Sequence, residues 1–236
     1  MKKIIHRAGS RGYADHGWLK SYHTFSFAGY YEPSRMHFGA LRVLNDDSVA
    51  GGNGFGKHPH DNMEIISIPL EGTLAHGDSM GNKGTIQPNE IQVMSAGTGV
   101  THSEFNANEI DPVKFLQIWL FPNKQNVNPR YDQIKINPAD RKNRFQQVIS
   151  PNEEDEGTWI HQDAWFHLTD LDKGKEVEYV FKGVNTGVYI FLLEGEIEIL
   201  GETLERRDAI GVTDINNVVI HATQHASVLL MEVPMV

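Results

Sequence analysis

Residues 54 to 72 read GFGKHPHDNMEIISIPLEG, and two features of this stretch decide the fold. The apolar run EIISIPL, closed by Glu71-Gly72, has the length and β-branched content of a buried strand. Just before it, His58 and His60 stand one residue apart. Successive side chains on a strand point to opposite faces, so both imidazoles leave the same face and can reach a common point. That is the geometry of metal ligands.

The same style of sequence continues outward in both directions. KFLQIWLF (114 to 121), GVYIFLLEG (187 to 195) and ASVLLMEV (226 to 233) are further strand candidates, and helical periodicity is hard to find. Turn signals recur at close intervals, at Gly51-Gly52-Asn53-Gly54, Gly81-Asn82-Lys83-Gly84, Pro88-Asn89, Gly97-Thr98-Gly99 and Gly201-Glu202. This spacing predicts an all-β chain of sandwich or barrel type. An internal echo, IPLEGTLAHGD against IFLLEGEIEILG, divides it into two similar domains. The polar, proline-bearing segment from Pro122 to about Arg144 is the expected linker, which gives domains over 1–134 and 135–236.

Composition narrows the chemistry. The chain of 236 residues has no cysteine, so disulfides, thiolate metal sites, zinc fingers and a cysteine nucleophile are excluded, and any metal must be held by nitrogen and oxygen. A formal charge of -10 speaks against a general binder of phosphate backbones. Ile4 and Ile5 are no signal-peptide core and no apolar run has spanning length, so a soluble, cytoplasmic protein without membrane contact is expected.

A second pair of the same spacing, His102 and Glu104, follows the Gly97-Thr98-Gly99 turn. On facing strands the two pairs would bring three imidazoles and one carboxylate together. The echo lacks them. Aligning Glu71-Gly72 with Glu194-Gly195 carries His58, His60 and Glu64 onto Phe181, Gly183 and Gly187, and aligning NEIQVM with RDAIGV carries His102 and Glu104 onto Ile220 and Ala222. His221 falls one position away, on the opposite face.

These residues carry a family resemblance. Gly52, His58-Pro59-His60 and Glu64 resemble the first cupin motif, and Gly97-Thr98-Gly99, His102 and Asn106 the second. HGWLKSYHTFSFAGYYEP (16 to 33), LRVLNDD (41 to 47), LEGTLAHGDSMGN (70 to 82) and MSAGTGVTHSE (94 to 104) narrow the resemblance to the pirin family, over most of residues 10 to 121. The resemblance implies a bicupin, two jelly-roll-like β barrels in tandem, with a mononuclear metal in the first and none in the second. Two departures stand out: Glu64 and Gly72 lie farther apart than in the general cupin pattern, and Gly97 replaces a usual proline. Many cupins use the motif-one glutamate as ligand, whereas pirin-like proteins use the glutamate two residues after the motif-two histidine. The implied ligands are therefore His58, His60, His102 and Glu104, with Glu64 behind them or as the alternative carboxylate.

Such donors suit iron(II), the family expectation, and equally Mn, Co, Ni, Cu or Zn. The leading functional reading is a dioxygenase that opens the heterocycle of a flavonol such as quercetin with O2 and releases CO, Glu104 acting as the base. The second is a pirin-type regulatory protein, with a protein partner and a redox-sensing or structural metal. A non-redox cupin enzyme ranks third, on fold analogy alone. A monomer is expected. His16, His23, His37 and His76 read as hydrogen-bonded structural residues, Phe25, Phe27, Tyr30, Tyr31 and Phe105 as core and pocket wall, and Glu153 to Glu156 as a solvated acidic loop.

Overall fold

The computed structural model describes residues 1–235, and it is built almost entirely of antiparallel strands. Among the described residues the only helical turns are the short 3-10 segments Ala8–Ser10 and Pro138–Arg141, and no helix is long and apolar enough to cross a membrane.

Each half pairs a seven-stranded sheet with a four-stranded one. In the first half, strand Glu64–Glu71 lies between Glu90–Ser95 and Val113–Leu120, with Leu41–Val49 and Leu19–His23 beyond. The smaller sheet runs Gly54–His60, Val100–Asn106, Leu74–Asp78, Lys83–Ile86. The second half repeats both orders. Thr186–Glu194 takes the place of Glu64–Glu71, and the smaller sheet runs Glu176–Val180, Asn217–Ala222, Glu196–Ile199, Glu202–Glu205. The echo read from the sequence is thus a repeat of sheet order.

Why Glu64–Glu71 is apolar on both faces follows from the packing. Ile66 and Ile68 face the second barrel and join one core with Leu44, Leu116, Phe166, Tyr189 and Met231, contributed by the two large sheets. Ile65 turns inward with Met94, and Ser67 follows it on the inner face. A strand covered on both sides loses the alternation of an exposed one.

The edges of the large sheets depart from a simple tandem. Strand Arg130–Lys135, inside the expected linker, pairs along Glu90–Ser95 and closes the first sheet. The matching edge in the second sheet is filled by the chain's first strand, Lys2–His6, which pairs with Ala209–Thr213 from Lys2 opposite Thr213 to His6 opposite Ala209. Residues 2–6 therefore belong to the sheet of the second half, although a cut at 134/135 assigns them to the first. Buried Arg207 adds a further tie, its Nε donating to Asp46 Oδ2 at 2.9 Å across the two halves.

Candidate metal centre

The ligand candidates come together because of strand register. Strand Val100–Asn106 lies between Gly54–His60 and Leu74–Asp78, with His102 opposite His58, Val100 opposite His60, and Glu104 opposite His76. Period-two alternation then puts His58, His60, His102, Glu104 and His76 on the inner face of the small sheet. The turn before His102 needs Gly97: its φ is +48°, and a Cβ there would lie 2.0 Å from the Val127 carbonyl oxygen.

Donor nitrogens of His58, His60 and His102 lie within 4.8 Å of one another. A bulge between His102 and Glu104 leaves an extra residue on the facing strand near Gly56, whose carbonyl accepts from His58 Nδ1 at 2.8 Å. That bond fixes the tautomer and leaves the Nε2 lone pair free. His60 Nε2 and both ring nitrogens of His102 are buried without any hydrogen-bond partner. Burial and the neighbouring rings push His60 down to about 4 and His102 down to about 3, which keeps both imidazoles neutral at physiological pH. Neutral buried imidazoles without partners fit a metal and fit a hydrophobic core poorly.

Glu104 is buried beside them. Its Oε2 accepts from Gln117 Nε2 at 3.1 Å, and Ser67 Oγ lies 3.0 Å from Oε1. Burial pushes this carboxyl up to about 7, against the pull of those two donors. Glu104 shares a 4.8 Å cluster with His102 and His76. Both nitrogens of His76 are already engaged, Nδ1 by Gln92 Nε2 at 3.0 Å and Nε2 by Asp78 Oδ2 at 3.2 Å. His76 is therefore hydrogen-bonded, as expected, yet it stands against the site, which its sequence neighbours did not disclose. Glu64 lies elsewhere. It shares the alternation of Ile66 and Ile68, away from inward-facing Ser67, and its Oε2 accepts from Ser95 Oγ at 2.7 Å.

The centre opens on a cavity of about 640 Å³. Phe27, Tyr30, Phe55, Phe115 and Trp119 supply its apolar wall, with Asn45, Asp47, His23 and Ser21 on the polar side. Two expected wall residues are not there. Tyr31 is 72% exposed, and Phe105 is 42% exposed because it alternates with Glu104 onto the outer face of its strand. Phe25 sits in the core between the barrels. His37 is tied to the Gly39 carbonyl at 2.9 Å, whereas His23 keeps an unpartnered Nδ1. The acidic stretch 153–156 is an exposed loop.

In the second barrel the positions of His102 and Glu104 are apolar. Pairs Asn106–Leu74 and Ala222–Ile197 occupy matching places, so His102 corresponds to Val218 and Glu104 to Ile220. The sequence alignment placed both two residues further on, an even shift that preserves the face. Val218, Ile220 and Ala222 are buried, and His221 is on the other face. Across from Val218 stands Tyr179, which donates to Glu232 Oε2 at 2.7 Å.

Two cupin barrels, the first holding the His58, His60 and His102 cluster, define a bicupin. Residues 5–120 match the Pirin family and residues 147–233 the quercetinase C-terminal cupin domain, and the chain belongs to the pirin family. It is 40% identical to the quercetin 2,3-dioxygenase of Escherichia coli K12 over 98% of each chain. It is 41% identical to a protein of Pseudomonas aeruginosa named putative quercetin 2,3-dioxygenase, over 94% of this chain and 95% of that one. The crystal structure of the E. coli pirin YhhW in complex with nickel(II) superposes with a TM-score of 0.94 at 39% identity, covering all of both chains.

Proposed function

We propose that this protein is a metal-dependent dioxygenase that opens the heterocycle of a flavonol, incorporating both atoms of O2 and releasing CO. The observation that carries this reading is the set of unpartnered imidazole nitrogens of His60 and His102 beside a cavity with aromatic walls. The names of relatives at about 40% identity agree with it.

His58, His60 and His102 would hold the metal, with Glu104 as the carboxylate donor. Iron(II) is the proposed ion, and the same nitrogen and oxygen donors accept nickel(II), the ion in the YhhW complex. Once bound, the cation stabilises the anion of a neighbouring hydroxyl and so favours loss of its proton. The protein supplies the rest. Gly56 holds His58 in one tautomer, and Ser67 and Gln117 hold the Glu104 carboxylate in place. Glu104 would take the proton of the substrate 3-hydroxyl. Phe27, Phe55, Phe115 and Trp119 exclude water and pack against a planar ring system.

The test is bleaching of quercetin by metal-loaded protein in air, with oxygen uptake and CO measured together. Equimolar consumption and release are expected, and a flavone lacking the 3-hydroxyl should be inert. Quercetin left untouched, or the flavone consumed equally, contradicts the reading and favours a regulatory role.

A further inference from the structure

Strand register lays one polar row across the inner face of the first large sheet. His23 stands opposite Asn45, Asn45 opposite Gln117, Gln117 opposite Ser67, and Ser67 opposite Gln92. Polar side chains at five successive positions in a barrel interior are costly unless each is satisfied. One end of the row is satisfied by the metal centre: Gln92 donates to His76, and Ser67 and Gln117 contact Glu104. The other end is not. Asn45 and His23 are 2% and 3% exposed, and Asn45 Oδ1 and His23 Nδ1 have no hydrogen-bond partner. Both residues line the cavity, and a turn of the Asn45 amide or of the His23 ring presents a polar atom to whatever fills it. Ser21 and Asp47, opposite each other on the same two strands, adjoin this end, where Ser21 Oγ donates to Asp47 Oδ1.

We infer that this unpartnered end, Asn45 and His23 with the Ser21–Asp47 pair, binds hydroxyl groups on the pendant phenyl ring of a flavonol whose 3-hydroxy-4-keto edge faces the metal. The inference rests on the flavonol reading above and adds a determinant of which flavonols are preferred. The groups on offer are a primary amide, a ring nitrogen and a carboxyl, each able to pair with a phenolic hydroxyl, which both donates and accepts. Distance also selects the far ring. Adjacent strands lie about 4.8 Å apart, so His23 is roughly 10 Å from Gln117, the residue that touches Glu104. A single ring held at the metal cannot reach it. Burial pushes the Asp47 carboxyl up to about 7, which lets it offer a lone pair or a proton to a hydroxyl.

The test is anaerobic titration of metal-loaded protein, followed by tryptophan fluorescence, with two flavonols that share the 3-hydroxy-4-keto edge. Quercetin carries two hydroxyls on its outer ring and galangin none. Wild-type protein should bind quercetin about tenfold or more tightly than galangin, the effect of leaving buried polar groups unpaired. Asn45→Ala and Asp47→Asn should each bring the ratio of dissociation constants toward one. A wild-type ratio near one, or a ratio that survives Asn45→Ala, overturns the inference while leaving the dioxygenase reading intact. Binding of neither flavonol overturns both. Should Asp47→Asn fail to fold, the wild-type pair and Asn45→Ala still decide.

Discussion

The two barrels have the same strand order and opposite interiors. The first keeps an open cavity lined by histidines and a polar row, whereas the second packs Leu171, Val188, Ile190, Leu192, Val212 and Leu230 into the corresponding space. A few positions make the difference. Where His102 and Glu104 stand in one barrel, Val218 and Ile220 stand in the other, on strands with matching partners. Aliphatic side chains there gain burial energy, roughly 1.5–3 kcal/mol for each one fully buried. An imidazole and a carboxyl at those positions forgo that gain, and both ring nitrogens of His102 are left without a partner, a deficit that metal binding would offset. Stability resides in the second barrel and in the core shared by the large sheets, and the proposed chemistry in the first.

This contrast can be broken most directly through stoichiometry. His102→Ala should reduce bound metal from one per chain to none, while His221→Ala should leave one per chain, both read by elemental analysis of protein purified without chelator. Next in size, Ile190→Ala in the apolar barrel should lower unfolding free energy by about 2–5 kcal/mol with the metal ratio unchanged. Loss of metal in that variant would show that the barrels are not separable. Gln117→Leu removes the donor to Glu104 Oε2 and should weaken metal binding about 10–100-fold, the usual scale for groups that orient ligands.

A further effect concerns pH. In the folded state Asp47 titrates at about 7, above its ordinary 3.8, so the native protein holds that proton more tightly than the unfolded chain. The contribution favours folding most below pH 3.8 and declines by at most roughly 1.4 kcal/mol per pH unit up to about pH 7, then levels off. Denaturant titrations of metal-free Asp47→Asn should show a shallower fall over that window than wild type. Parallel curves would mean that Asp47 is not the buried acid described.

Much of this was legible in the sequence, and the misses share a cause. The two i, i+2 pairs sufficed to put His58 with His60, and His102 with Glu104, on one face of their own strands, because alternation is a local property of a strand. The repeat was readable from Leu-Glu-Gly and its flanking strands. What escaped depends on which strands become neighbours. Nothing in KKIIH indicates that Lys2–His6 completes the sheet of the second half, nor in RYDQIK that Arg130–Lys135 closes the first. His76 and Asn45 reach the site only through register with Glu104 and Gln117. Tyr31 and Phe105 show the converse error, since an aromatic residue next to a site residue on a strand points the other way.

Anomalous diffraction at the metal absorption edge, from crystals of metal-loaded protein, addresses the central claim most directly. The account predicts a single anomalous peak per chain, between the rings of His58, His60 and His102 and within bonding distance of Glu104. A peak inside the second barrel, or a site that engages Glu64 in place of Glu104, would contradict it.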